Sequence, residues 1–244
     1  MRRHVPARRR SGMGETLKVG LHISDFGLLH QVVTALERNE FRLKSLDSVP
    51  AESQEMDVII SDAIQLPTTN LPVISIDNVE LLPLQLRHVQ RGRPPLVIGI
   101  DPGGTTGVAV LTQRRLLHSA ECATSDEAVR LVRRVARCSL DCTVRIGSGA
   151  SETGSRIAGA LRHLRIEIVD ETRTGSGSHT AAARAIALRR GERLHQLDYK
   201  PSNGEVARLQ AESRLVSGGL RTISRTWARR VLLGELTLEE ALHN

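Results

Sequence analysis

Residues 96–111, LVIGIDPGGTTGVAVL, place a single carboxylate directly after a run of apolar residues. Leu96 to Ile100 lack polar alternation, which predicts a strand buried on both faces in the middle of a sheet. Asp101 then lies at the carboxyl end of that strand, the edge at which open α/β sheets bind their ligands. Its carboxylate is therefore a candidate metal ligand or catalytic group. The alternative interpretation is a solvated aspartate that opens a tight turn.

The turn after Asp101 has a composition that suits an anion. Gly103 and Gly104 lack side chains, so a phosphate or a hydrated metal ion can approach the main chain there. We place Thr105 and Thr106 in the same predicted phosphate-binding loop. Residues 107–111 then predict the return strand of a hairpin.

The elements that must position this loop form a regular series. The hairpin is followed by a third strand, a helix begun by Ser125 and a fourth strand. A second helix, a fifth strand and a third helix ended by Gly191 come next. The segments are RRLLHSAE, SDEAVRLVRRVARC, CTVRIGSG, SETGSRIAGALRHL, RIEIVDE and SHTAAARAIALRRG. Three strands in meander order, followed by alternating helices and strands, predict a mixed five-stranded sheet with helices.

The first part of the chain predicts a smaller α/β domain. Its strands are LKVGLHI, FRLKSL, DVIISD and PVISID, with the helical segment DFGLLHQVVTALERN after the first. This β-α-β pattern indicates a small parallel sheet. Asp25, Asp62 and Asp77 lie at or just after strand ends, where they either hold a ligand or cap helices and close turns.

Shifts in composition divide the chain into four regions. A basic, proline-ended linker near residues 91–95 separates the two sheets. We predict a disordered basic arm over residues 1–15, a small α/β domain over 16–92, a second α/β domain over 93–198 and a helical extension over 199–244.

The helical extension carries a group of arginines around a glycine turn. They either contact DNA as part of a helix-turn-helix, or remain solvated on an amphipathic extension that packs on the sheet. The residues are Arg221, Arg225, Arg229 and Arg230.

Charge and composition limit the classes of partner. The net charge is +7, but five arginines precede Met13, and without them 29 basic residues nearly balance 27 acidic ones. The arm is either a polycation that grips phosphates or of no consequence if Met13 is the true start. One Trp, one Tyr and two Phe are too few for an aromatic base-stacking surface.

The same composition bears on the compartment. No apolar run approaches the length of a membrane span, and the arm has no apolar segment behind it as a secretory signal would. Three cysteines without a CxxC pair indicate reduced thiols. We therefore expect a cytoplasmic protein with no membrane partner.

Residues 95–191, with IGIDPG at the first strand, resemble a ribonuclease H fold. The motif is similar to that of the RuvC and YqgF branch, and GIDPGGTTGVAVL most resembles archaeal proteins of that branch known only as possible nucleases. The resemblance covers about two fifths of the chain. It implies Mg²⁺- or Mn²⁺-dependent cleavage of structured DNA or RNA, in which metal ions held by carboxylates neutralise the attacking and leaving oxygens.

The resemblance also implies which carboxylates hold the metal. Asp101 matches the acid at the end of the first strand, as a catalytic residue and metal ligand. Asp170 and Glu171 resemble the acidic pair that follows the fifth strand in the YqgF pattern, and Asp170 is the second implied metal ligand. At the fourth strand Gly147 stands near the place of a family glutamate, with Glu152 a few residues further on.

The segment after the fifth strand supplies further candidates by the same resemblance. His179 lies close to where RuvC-like proteins place their final ligands, and it could bind metal or act as a general base. The acid expected three residues later is Ala182. Arg173 is a candidate phosphate contact, and Ser176 and Ser178 belong to a Gly/Ser loop at a helix N-terminus that could accept an anion.

These residues lead to one expected geometry and three hypotheses of function. Asp101, Asp170 and one of Glu171 or His179 are expected around one metal cluster, on the premise that strands one and five are neighbours. The leading hypothesis is a metal-dependent nuclease acting on structured nucleic acid. The alternatives are a binding or RNA-processing adaptor of the same fold, and an ATPase or kinase-like phosphate-binding protein. Homodimer formation is left open.

Overall fold

The computed structural model describes residues 16–37, 39–49, 52–63, 69–149, 151–171, 177–194, 201, 203–233 and 235–243. The chain divides into two compact units, residues 1–94 and 95–244. The predicted arm over 1–15 and the candidates Arg173 and Ser176 lie outside the described residues. No helix in the described ranges is long and apolar enough to cross a membrane.

The first unit is a fully parallel four-stranded sheet in the order β2-β1-β3-β4, which confirms the predicted small α/β architecture. Its core consists of apolar residues from all these strands except β2 and from both helices, among them Val19, Val32 and Ile60. The strands are β1 (Leu17–His22), β2 (Phe41–Ser45), β3 (Val58–Ser61) and β4 (Val73–Ser75), and the helices are α1 (Phe26–Leu36) and α2 (Leu82–Gln90).

Asp25 and Asp62, two of the three strand-end aspartates of this unit, hydrogen-bond to its own backbone. Asp25 is the N-cap of α1, and its side chain accepts a hydrogen bond from the Leu28 amide at 2.8 Å. Asp62 Oδ2 accepts from the amides of Ser24 at 2.8 Å and Asp25 at 3.2 Å, and so closes the loop that follows β1. Of the two interpretations that the sequence left open, these contacts favour capping and loop closure.

The second unit contains the predicted mixed sheet, in the order β10-β9-β8-β5-β6-β7. The strands β5, β6 and β7 form an antiparallel meander, and β8 and β9 add in parallel on the other side of β5. Their bounds are β5 (Leu96–Asp101), β6 (Thr106–Thr112), β7 (Arg115–Cys122), β8 (Cys142–Gly147), β9 (Arg165–Val169) and β10 (Glu192–Arg193).

Three local predictions for this unit are wrong. The sheet has a sixth strand, the two-residue β10, because the last helix of the sheet ends at Leu188 and not at Gly191. Arg189 is already extended, and Gly191 lies against the backbone of Ile168 on β9, where a side chain would not fit. The helix after β7 is capped by Thr124, whose side chain accepts from the Glu127 amide, and Ser125 is its first residue.

Helices cover both faces of this sheet. They are α3 (Ser125–Ala136), α4 (Ser151–Ala160) and α5 (His179–Leu188). On β8, Ile146 lies next to Gly154 of α4, whereas its neighbour Gly147 lies next to Ile186 of α5. Because successive residues of a strand point to opposite faces, α4 and α5 lie on opposite sides of the sheet.

The chain ends in three short helices with a core of their own, as the predicted helical extension requires. They are α6 (Asn203–Val216), α7 (Arg225–Leu232) and α8 (Leu238–His243). Val206, Leu209, Val231 and Leu238 are among the buried residues of this core. We call residues 203–243 the terminal bundle.

The terminal bundle contacts α3 and α4 through polar side chains. Arg156 of α4 lies 3.2 Å from Asp126 of α3 and 3.8 Å from Glu212 of α6. The other oxygen of Asp126 accepts from the amide of Leu238 at 3.4 Å. These contacts attach α6 and α8 to the helices on the face of the sheet opposite α5.

Candidate functional site

Asp101 and His179 meet at the carboxyl edge of the six-stranded sheet. Asp101 is the last residue of β5, and His179 is the first residue of α5. Asp101 Oδ2 lies 3.2 Å from His179 Nδ1. The imidazole is 48% exposed and the Asp101 side chain 17% exposed. An ionised Asp101 requires that Nδ1 carry the proton and donate it, which leaves Nε2 as an acceptor in the neutral ring.

Two glycines on the sheet bring His179 to Asp101. Gly107 of β6 is paired with Asp101, and a Cβ added to Gly107 would overlap the carbonyl of His179. Gly99 of β5 makes the same kind of approach further along α5, where a Cβ would lie 2.7 Å from the amide nitrogen of Ala187. The backbone of α5 therefore rests directly on the sheet, because neither strand carries a side chain at the contact.

Glu171 places a second carboxylate at this edge, in space that a missing side chain leaves open. A Cβ on Gly147 at the end of β8 would overlap Glu171 Oε1, and a Cβ on Gly149 would overlap Oε2. The backbone of Gly149 donates a hydrogen bond to the Glu171 carboxylate. Thus an acid that follows β9 occupies the space at the end of β8.

The surroundings of Glu171, burial above all, oppose its ionisation. Burial raises the pKa of Glu171 most, the hydrogen bond from Gly149 lowers it, and the charge of Asp101 raises it further. Two smaller effects oppose each other: the charge of Arg189 lowers the pKa of Glu171, and the charge of Asp170 raises it. The net shift of the Glu171 pKa is upward. A raised pKa caused by burial and neighbouring carboxylates is typical of functional sites.

Asp170 lies at the same edge but is separated from Asp101 by one strand. β5, β8 and β9 run parallel, so Asp101 at the end of β5 and Asp170 just beyond β9 share one edge of the sheet. The premise that these two strands are neighbours is wrong, because β8 lies between them. The Asp170 carbonyl accepts from Arg189 at 3.0 Å, and Asp170 itself is exposed.

Three of the four residues of the predicted phosphate loop are accessible, and the fourth is buried. Gly103, Gly104 and Thr105 lie in the β5–β6 turn and are at least partly exposed, with Gly104 the most open. Thr106 is fully buried as the first residue of β6. Its hydroxyl is therefore not placed to touch a phosphate, and we correct that prediction.

Ser178 and Glu152 have partners within the fold. Ser178 is the N-cap of α5, and its hydroxyl lies 3.3 Å from the Ala181 amide and 3.0 Å from Thr180 Oγ1. Glu152, in the first turn of α4, pairs with Arg208 of α6 at 2.7 Å. Glu152 is thus directed to the terminal bundle in this structure.

Arg189 is the site residue that the sequence reasoning missed. It contacts the backbone of Asp170 and its charge reaches Glu171. The signal was a basic residue directly after the last turn of α5, but such a residue ordinarily stabilises a helix C-terminus and does not indicate a site. The structure brings this cation to the same edge as the three acids.

The described residues contain no ready-made group of three or more His, Cys, Asp or Glu side chains that could hold a metal ion. This edge contains one Asp–His contact and the half-buried carboxylate of Glu171, which is close enough to Asp101 for the two charges to interact.

Comparison with known proteins gives a match for the last part of the chain. No curated protein matches the sequence. A family model described as a three helical bundle domain matches residues 202–244, the segment that contains α6, α7 and α8.

Proposed function

We propose that the edge formed by Asp101, Glu171 and His179 is a hydrolytic site for phosphodiesters in structured DNA or RNA, working with Mg²⁺ or Mn²⁺. The observation that carries this proposal is the Glu171 carboxylate seated over Gly147 and Gly149, at the same edge as the Asp101–His179 pair. In this proposal Glu171, which follows β9, takes the role of the glutamate that RuvC-like enzymes carry at the end of the preceding strand.

The acids at this edge suit a hard divalent cation. Mg²⁺ prefers carboxylate oxygens and retains several waters, so it needs few protein ligands. Burial and the charge of Asp101 raise the pKa of Glu171, and a cation between the two carboxylates would relieve that repulsion. Asp101 and Glu171 would hold the ion, whereas Asp170 is exposed, one strand away from Asp101, and is not grouped with them. When bound, the ion supplies charge neutralisation at the attacking and leaving oxygens.

The other residues at this edge have distinct roles in the proposed reaction. Asp101 orients the imidazole of His179 through Nδ1, so that Nε2 can take a proton from an attacking water. Gly104 leaves the main chain of the β5–β6 turn open to a phosphate. Arg189, whose charge reaches Glu171, adds a positive charge that favours a phosphate at this edge.

A second candidate is a nucleic-acid-binding adaptor of the same fold that does not cleave. One observation favours it: within the described ranges no three metal-binding side chains are already grouped. In that case the raised pKa of Glu171 reflects a carboxyl group that is retained without a metal.

A panel of substrates distinguishes these functions. Branched, duplex and single-stranded DNA and RNA are incubated with the full chain in Mg²⁺, in Mn²⁺ and in EDTA, beside an Asp101→Asn variant. Metal-dependent cleavage by the wild type and none by the variant supports hydrolysis. Binding of the same substrates without cleavage in either metal supports the adaptor, and nucleotide hydrolysis without cleavage supports an ATPase.

A further inference from the structure

The terminal bundle contains a stretch of chain that is rich in arginine. Five arginines occur between Ser213 and Gly234, and that stretch of sequence contains no Asp or Glu. Each of the five is exposed. We call this surface the arginine face; it consists of Arg214, Arg221, Arg225, Arg229 and Arg230.

The bundle itself holds this surface in a defined shape. Arg221 donates to the carbonyl of Leu242 in α8. Arg230 stacks on Trp227 with 4.6 Å between guanidinium and ring, and pairs with Glu235 at 2.9 Å. These contacts fix the two arginines to the bundle, and the ion pair with Glu235 offsets the charge of Arg230.

Arg225 and Arg229 form the outer row of the face. They lie four residues apart on α7, so their side chains project from the same side of the helix about 6 Å apart. Arg225 lies 3.2 Å from the amide oxygen of Asn203, which is a neutral partner, so its positive charge is not cancelled. Guanidinium groups in such a row match a chain of phosphates.

The packing of α7 favours a nucleic acid over a lipid surface. A helix that binds a membrane lays its apolar side into the lipid. The apolar side of α7 is already buried in the core of the bundle, through Ala228, Val231 and Leu232. The arginines, Thr226 and part of Trp227 are left for a partner on α7, and the arginines suit a phosphate backbone.

We propose that the arginine face of the terminal bundle binds the phosphate backbone of DNA or RNA. The choice of partner rests on the proposed function, but binding by this face is separate from hydrolysis at Asp101. The face binds without regard to base sequence, because α7 offers phosphate contacts and its one tryptophan is already stacked on Arg230.

The test compares two double variants of the full chain by fluorescence anisotropy, in EDTA, with a labelled DNA duplex over a series of salt concentrations. Arg225→Gln with Arg229→Gln removes two charges from the arginine face. Arg42→Gln with Lys44→Gln is the matched control, because it removes two exposed charges from β2 in the first unit. Arg225→Lys with Arg229→Lys retains the charge.

The face variant is expected to lower the salt slope by about 2 and to bind about 60-fold more weakly in 0.1 M salt, since each phosphate contact contributes roughly a factor of eight there. The control should leave both quantities unchanged, and the lysine variant should keep most of the slope. Circular dichroism checks that each variant is folded.

Three results would overturn the proposal. Equal losses in the face variant and the control would mean that only net charge matters. An unchanged slope in the face variant would place the contacts elsewhere, and binding to phosphatidylserine vesicles but not to nucleic acid would assign the face to lipid. If the face variant loses affinity while the wild type cleaves nothing, this proposal stands and the proposed hydrolysis fails.

Discussion

Glu171, which follows β9, fills the space above Gly147 at the end of the neighbouring strand β8. An acid is therefore present at the end of β8 although the sequence of that strand has none there. Glu171 fits at the end of β8 because residue 147 has no side chain and because the backbone of Gly149 donates a hydrogen bond to the Glu171 carboxylate. This relationship makes the glycines of β8 part of the candidate site.

Replacing Gly147 with alanine should expel the Glu171 carboxylate. The new Cβ would overlap Oε1 and also lie 2.9 Å from Ile186 Cδ1. Because burial raises the pKa of Glu171 most, movement of the carboxylate into solvent should bring that pKa down towards its ordinary range. Carbon-detected NMR titration measures the change. In the control Gly154→Ala, where the nearest atom would be 3.6 Å away, the pKa of Glu171 should not move.

Replacing Gly107 with alanine should separate His179 from Asp101. The added Cβ would overlap the backbone of His179 at the start of α5, so the helix must shift. We expect a loss of about 2 kcal/mol in the free energy of unfolding. Nitrogen NMR of the imidazole should show the hydrogen bond at Nδ1 weakened. Gly104→Ala, in the open part of the same hairpin, should preserve the bond; its loss there as well would refute the packing explanation.

Glu171→Gln should change how stability depends on pH. Because the pKa of Glu171 is raised in the folded state, the native protein binds a proton more readily than the unfolded chain, and wild-type stability falls as pH rises from the ordinary range of Glu through the folded pKa. Glutamine cannot ionise, so the variant should lack this fall and be the more stable protein near neutral pH. Denaturant unfolding of both proteins between pH 4 and pH 8 measures how the free energy of unfolding depends on pH. Parallel curves for the wild type and the variant would contradict the prediction.

We expect the contribution of Glu167 to the free energy of unfolding to depend on pH in the opposite direction. Burial raises its pKa, but the hydrogen bond and charge of Arg145 and the charge of Arg165 outweigh burial and hold that pKa below its ordinary value. The stabilisation is therefore present above the ordinary range of Glu and is lost as pH falls through the folded pKa.

Glu167→Gln should accordingly destabilise the protein at neutral pH by about 2 kcal/mol, because Arg145 is left partly buried without its partner. Arg145 also donates to the carbonyl of Ala187, so the end of α5 should loosen. Urea unfolding at pH 7 and in acid measures the difference, which should shrink in acid. The exposed Glu121→Gln serves as control.

The architecture could be predicted where side-chain patterns leave few alternatives. The apolar run before Asp101 admits little besides a buried strand, and the order of strands and helices after it is regular. The cap of α3 was misplaced by one residue because Thr124 and Ser125 can both accept the amide hydrogen bond. Strand β10 could not be predicted, since two residues carry no periodic pattern.

The site was harder to predict than the strands around it. Asp101 could be identified because it follows a strand directly. The position of Glu171 could not, because it depends on empty space beside Gly147, more than twenty residues earlier in the sequence. Thr106 was misjudged because hydroxyl groups next to glycines suggest a phosphate loop, whereas its place on β6 turns it into the interior.

The most direct test of the hydrolytic site is the rate of nucleic acid cleavage in Mg²⁺ by four forms of the full chain. These are the wild type, Asp101→Asn, Glu171→Gln and, as a control acid outside the site, Glu152→Gln, which loses only an exposed ion pair with Arg208. We predict cleavage by the wild type and by Glu152→Gln, and a loss of about a hundredfold or more in the other two variants. Cleavage by Asp101→Asn and Glu171→Gln at the wild-type rate would contradict the account.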